Sequence, residues 1–176
     1  MYNNNVTAKR LAKHLVILFS VSLLWSCSGG NDNSTEIGPI VPADRDFPGY
    51  ALVTLEPGDD LETRTLSALI TAEPNTIVQL PAGTYDFIGE LSSSVDNIVL
   101  RGTGMGADSG TVLRFGDQTS GAQSLLATGD NFVVQDLAIE NSPGDAIKVI
   151  GTNGVTIRRV RVEWTNGPDE NNGAYG

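Results

Sequence analysis

A nine-residue pattern occurs twice between Asn131 and Trp164, 23 positions apart, and it narrows the possible folds sharply. The first copy is Phe132-Val133-Val134-Gln135-Asp136-Leu137-Ala138-Ile139-Glu140. The second is Val155-Thr156-Ile157-Arg158-Arg159-Val160-Arg161-Val162-Glu163. Within each copy the apolar residues come in two pairs. Spacing of two inside a pair is the period of a strand with one buried face. The step of three between pairs slips the phase at Gln135-Asp136 and at Arg158-Arg159. A strand that slips phase and stays buried has turned a corner. Two short strands joined at a corner and repeated every 23 residues describe a coil of a β-solenoid.

The repeat extends upstream. Asp96-Asn97-Ile98-Val99-Leu100 aligns with Asp130 to Val134 at an offset of 34. The extra residues fit in two glycine-rich stretches, Gly102 to Gly110 and Gly116 to Gly121. Ser124 to Ala127 aligns with Ile147 to Ile150 at 23, giving three strands per coil. The expected content is two full coils and an irregular first one. Thr76 to Leu80 and Thr84 to Phe87 read as strands around the turn Pro81-Ala82-Gly83, and Ala51 to Leu55 as a shorter strand. Asp59-Asp60 can cap a helix over Leu61 to Ala72, with Leu61, Leu66, Leu69 and Ile70 near one face. A solenoid must cover its open end, so this helix is expected to be an N-terminal cap.

Three stretches carry a family resemblance: "NFVVQDLAIENS" (131–142), "GDAIKVIGTNGVTIRRVRVEWTNG" (144–167) and "NTIVQLPAGTYDF" (75–87). They resemble coils and the entry strand of the right-handed parallel β-helix proteins, the pectate-lyase-like superfamily. The resemblance implies an all-β, right-handed parallel β-helix. Lyases, hydrolases, epimerases and non-catalytic surface proteins share such coils, so it implies no single activity. Gly173-Ala174-Tyr175-Gly176 reads as the start of another first strand, so C-terminal coils are expected to be missing and the chain as given to be inactive.

The start of the chain reads as a targeting segment. Lys9, Arg10 and Lys13 precede an apolar run from Leu15 to Leu24, too short to span a bilayer as a helix. Leu24-Trp25-Ser26-Cys27 resembles the bacterial lipobox, which implies cleavage before Cys27 and acylation of its thiol. Cys27 is the only cysteine, so no disulfide framework exists. The expected organisation is a signal peptide over 1–26, a flexible tether over 27–45 and an incomplete β-helix domain over 46–176. The expected location is the cell envelope, on the outer membrane through the N-terminal lipid. Removing the three basic residues leaves 8 Lys+Arg against 21 Asp+Glu, a formal charge of −13. That balance argues against nucleic acid as a partner.

In enzymes of the resembled family, substrate lies along the sheet of first strands. Two places here belong to that region: the strand Ala146 to Ile150, preceded by Asp145, and the loop from Asn166 to Asn172. The candidate catalytic residues are Asp145, Lys148, Asp169 and Glu170. Candidate substrate contacts are Lys148, Trp164 and Tyr175. Lyases and epimerases of polyuronates neutralise the substrate carboxylate and move the proton at C5, while glycosidases need two carboxyl groups. Asp169 and Glu170 can supply carboxylates or ligate Ca²⁺, and Lys148 can pair a carboxylate or act as a base. The alternatives are that the acids are solvated loop charges, Lys148 an exposed strand residue and Trp164 an edge of the core. The resemblance implies an acidic polysaccharide as partner. His14, the only histidine, lies in the segment expected to be removed.

The register makes further predictions. Val134, Ile139, Ile157 and Val162 are expected to face in and to be buried. Gln135, Ala138, Arg158 and Arg161 face out. Arg159 lies over Asp136, and Glu163 over Glu140 with Arg161 available to neutralise them.

Overall fold

The computed structural model describes residues 44–165 and 167, which fall in one compact unit. In order, the elements are β1 (Ala51–Thr54), α1 (Leu61–Thr71), β2 (Thr76–Gln79), β3 (Gly83–Asp86), β4 (Gly89–Ser93), β5 (Ile98–Arg101), β6 (Thr111–Arg114), β7 (Ser120–Ala127), β8 (Val133–Glu140), β9 (Ile147–Val149) and β10 (Thr156–Glu163). Every strand pair is parallel. The larger sheet runs β1-β2-β5-β8-β6-β3 with β10 on β8, and the smaller runs β4-β7-β9. β8 pairs with β5 through Val133 to Gln135 and with β6 through Ala138 to Glu140. One strand therefore serves two walls, and it bends between them at Asp136, whose φ is 57°. β10 bends in the same way at Arg159, with φ 50°. The product is a parallel β-solenoid of about five turns, more than the two coils and an irregular first expected from the repeat.

The strand register follows the sequence offsets at most positions. Val134 pairs with Ile157 at 23, and Leu100 with Val134 at 34. On the third wall Leu125 pairs with Ile147, an offset of 22 where 23 was expected. The reason is turn length: 150–155 holds one residue more than 128–132, which restores 23 at the next strand.

The expected capping helix forms, but it lies within the coils. β1 precedes it and pairs with β2 as the outermost strand of the larger sheet. α1 packs mainly against β4, with Leu61, Thr65 and Leu69 buried at helical spacing. Ile70 points away and is 53% exposed, so it is not on the packed face. Asp60 sits at the N-cap without a side-chain capping bond and pairs instead with Arg64 at 2.8 Å. Glu62 does the capping of the sheet: its carboxylate accepts the N–H groups of Ile88 (3.1 Å) and Gly89 (2.6 Å).

The core is a stack of inward rows. Val78, Leu100 and Val134 form one, Leu113 and Ile139 another, Leu91 and Leu125 a third. Phe87 and Phe115 meet edge to face at 5.5 Å. Ile157 (55%) and Val162 (40%) hold inward register but are exposed, because β10 is the last rung among the described residues. Gln135 and Ala138 do face out, yet both are buried. Gln135 Oε1 accepts from Arg158 on the next rung, and its Nε2 donates to Asp136 beside it. Ala138 lies beside Arg161, whose Nε reaches Met105 O (3.2 Å) in the inserted loop 102–110.

One corner is built on asparagine. Asn75, Asn97 and Asn131 stack with φ of 66°, 57° and 55°. Asparagine tolerates this left-handed conformation better than most residues. Its amides also bond along the stack, Asn131 Nδ2 to Asn97 Oδ1 at 2.9 Å. Gly154 takes the next place at φ 75°, where a Cβ would collide with Asn131 Oδ1.

Candidate functional site

The groove expected along the first strands is the outer face of β4, β7 and β9. Ile147 packs on the core, and Lys148 takes the outward place beside Leu126 and Ser92. Asp145 lies in the turn before β9, its backbone O accepting from Ser124 N (3.0 Å) and Ser142 Oγ (3.1 Å). The structure brings the two candidates together: Lys148 Nζ lies 3.4 Å from Asp145 Oδ2, with side chains 42% and 33% exposed. Trp164 is half-buried, and its indole N–H donates to Ser142 O at 2.7 Å, bracing the same turn. Asp169, Glu170 and Tyr175 lie outside the described residues, as does Cys27.

The corner faces carry ladders of paired charge. Gln79, Arg101, Gln135 and Arg158 stand in one row across four rungs. Arg101 Nε donates to Gln79 Oε1 (2.6 Å), and an Arg158 Nη donates to Gln135 Oε1 (2.8 Å). The segment before β1 crosses this row: Asp44 meets Arg101 and Asp46 meets Arg158, each at 2.6 Å. The Arg101 guanidinium holds the Asp44 carboxyl below its ordinary pKa.

A second row centres on Glu140, whose side chain is only 6% exposed. Burial pushes its carboxyl up, but hydrogen bonds from Arg161 (2.7 Å) and Arg114 (3.0 Å) outweigh this and leave the pKa lowered. Arg161 also bonds Glu163 on its own strand, which stacks over Glu140, so the stacked carboxylates share a cation as expected. Arg159 donates to both oxygens of Asp136 and lowers that carboxyl as well. These arginines are therefore committed to intramolecular partners.

A cleft with no counterpart in the sequence pattern opens beside α1. It has a volume of about 410 Å³ and lies between the loop entering α1 and the free edge of β3. Leu61 and Phe87 line its apolar side, and Asp59, Glu62 and Asp86 supply carboxylates. No repeat links residues 58–62 to 84–87, so the sequence carried no signal joining them. The acids do not converge: among the described residues no group of three or more His, Cys, Asp or Glu side chains can hold a metal ion.

No family model, no curated protein and no solved structure matches this chain.

Proposed function

We propose that the chain is a cell-envelope β-solenoid, held to the membrane by a lipid on Cys27, that binds polysaccharide without cleaving it. The observation carrying the binding reading is the open parallel sheet β4-β7-β9, which presents Lys148 on its outer face beside Ser92 and Leu126. A flat parallel face of this kind can take successive sugar units, and an exposed ammonium can pair the carboxylate of an acidic one. The Lys148–Asp145 contact at 3.4 Å is long and exposed, so Lys148 can exchange this partner for a substrate carboxylate. Ca²⁺ bridging between an acidic chain and an acidic polymer remains part of the proposal, given the formal charge of −10.

The test is affinity electrophoresis of the full chain through gels containing alginate or pectate, with and without Ca²⁺. Unsaturated products are followed by absorbance in parallel. Retardation without product formation, relieved by Lys148→Ala, is the expected result. Steady product formation would make the chain a lyase. No retardation by either polymer would favour a scaffold role, the reading suggested by arginines spent on rung-to-rung pairs. For the anchor, mass spectrometry of the membrane-extracted protein should show an acylated Cys27, and Cys27→Ser should release the chain from membranes.

A further inference from the structure

We propose that the cleft beside β3 is a strand-addition site for an extended, basic segment of a partner protein. The argument begins with backbone direction. Gly83 N–H donates to Gly110 O and Phe87 N–H to Arg114 O, each at 2.8 Å, so the odd-numbered residues of β3 bond to β6. In a parallel ladder the intervening residues aim their N–H and C=O groups the other way. Those of Thr84 and Asp86 therefore point toward the cleft, because β3 is the last strand on that side of its sheet among the described residues. Just past β3 the chain turns at Ile88 and Gly89, whose N–H groups are taken by the Glu62 carboxylate, so the first turn of α1 holds the end of this edge. The edge beneath β3 is where one more strand of the first turn would lie, and the chain supplies an irregular loop there instead.

The walls select the occupant. Leu61 and Phe87 close the inner side of the cleft but are each only 1% exposed, so the selection falls to the charged rim. Asp59 and Asp86 line the opening and make no hydrogen bond or ion pair among the described residues, whereas Asp44, Asp46, Asp60, Asp136, Glu140 and Asp145 are all paired. Two free carboxylates beside a free strand edge favour alternating basic and apolar residues. The charge of −10 disfavours a second copy of this chain at the same place. An exposed edge bearing acidic side chains is protected against pairing with acidic segments while remaining open to basic ones. This site is independent of the polysaccharide face.

The probe is a synthetic acetylated, amidated pentapeptide of alternating lysine and valine, titrated into the ¹⁵N-labelled full chain. Controls are the glutamate–valine peptide, the lysine–valine peptide N-methylated at alternate amides, and a neutral cello-oligosaccharide. The expected result is saturable shifts at the amides of Thr84 and Asp86 with slowed exchange there. Asp59→Asn with Asp86→Asn should weaken binding about tenfold while leaving the circular dichroism unchanged. N-methylation should abolish the effect. Unmoved Thr84 and Asp86 amides at millimolar peptide would overturn the proposal. So would equal binding of the N-methylated peptide, or shifts at these amides caused by the saccharide and not by the lysine peptide.

Discussion

Arg159 stands one rung beyond Asp136 and donates to both of its carboxylate oxygens, the Nη2 bond being 2.7 Å. Both residues sit at left-handed corners, with φ of 50° and 57°. The pair therefore fastens two successive bends of the solenoid to each other. It also places an opposite-charge contact where the β8 and β10 backbones depart furthest from strand geometry.

The charged corners make stability pH-dependent. Asp136 and Glu140 both have folded pKa values below their ordinary 3.8 and 4.5. A lowered carboxyl stabilises the fold above its unfolded pKa, and that contribution is lost as pH falls through the folded value. The urea midpoint should be flat above about pH 5 and drop on further acidification. Arg159→Ala with Arg161→Ala should flatten that drop. A midpoint insensitive to acid in the wild type would contradict the pairing.

Glu140→Gln tests the buried centre of the second row. It leaves Arg114 and Arg161 facing each other without the shared carboxylate. The expected loss is roughly 2 kcal/mol, read as a lower urea midpoint at pH 7. A neutral outcome would mean that solvent already screens the row.

Val134→Asp and Ile157→Asp occupy the same inward row one rung apart. Val134 is fully buried, so its variant should lose more than about 4 kcal/mol and fail to fold. Ile157 is 55% exposed, and its variant should cost under about 1 kcal/mol. Circular dichroism melts distinguish the two, and equal damage would mean that β10 is covered in solution.

Asn131 holds its φ of 55° between Asn97 and Gly154. Asn131→Ala should cost about 1–2 kcal/mol, from strain together with the lost amide bond. Asn131→Gly relieves the strain and should cost less. Thermal unfolding of the pair gives the order, and the reverse order would remove the conformational argument.

The sequence disclosed the register best where turns are short and equal. Val134 over Ile157 and Leu100 over Val134 were readable because phase slips at Asp136 and Arg159 recur in step with the apolar pairs. The offset of β7 to β9 was not, since one added residue in 150–155 changes no apolar pattern. Facing was legible and burial was not: Ala138 and Gln135 point outward and are covered by parts far away in sequence, the loop 102–110 and the ladder side chains. β4 escaped notice because Gly89-Glu90-Leu91-Ser92-Ser93 offers a single large apolar residue. Of the candidate groove, the proximity of Asp145 and Lys148 followed from their spacing on a turn and strand. The acidic cleft did not, because its two halves meet only once α1 has folded against β4.

Cross-linking reads the rung register, on which every placement above depends. Neighbouring parallel strands lie about 4.8 Å apart, inside the roughly 4.4–6.8 Å that a disulfide spans. In a Cys27→Ser background, Val133→Cys with Thr156→Cys and Leu126→Cys with Lys148→Cys should oxidise to intramolecular cross-links, seen by mass spectrometry as linked peptides. The shifted pairs, Val133→Cys with Ile157→Cys and Leu126→Cys with Val149→Cys, should remain reduced. Cross-linking of the shifted pairs in place of the matched ones would contradict the solenoid as described.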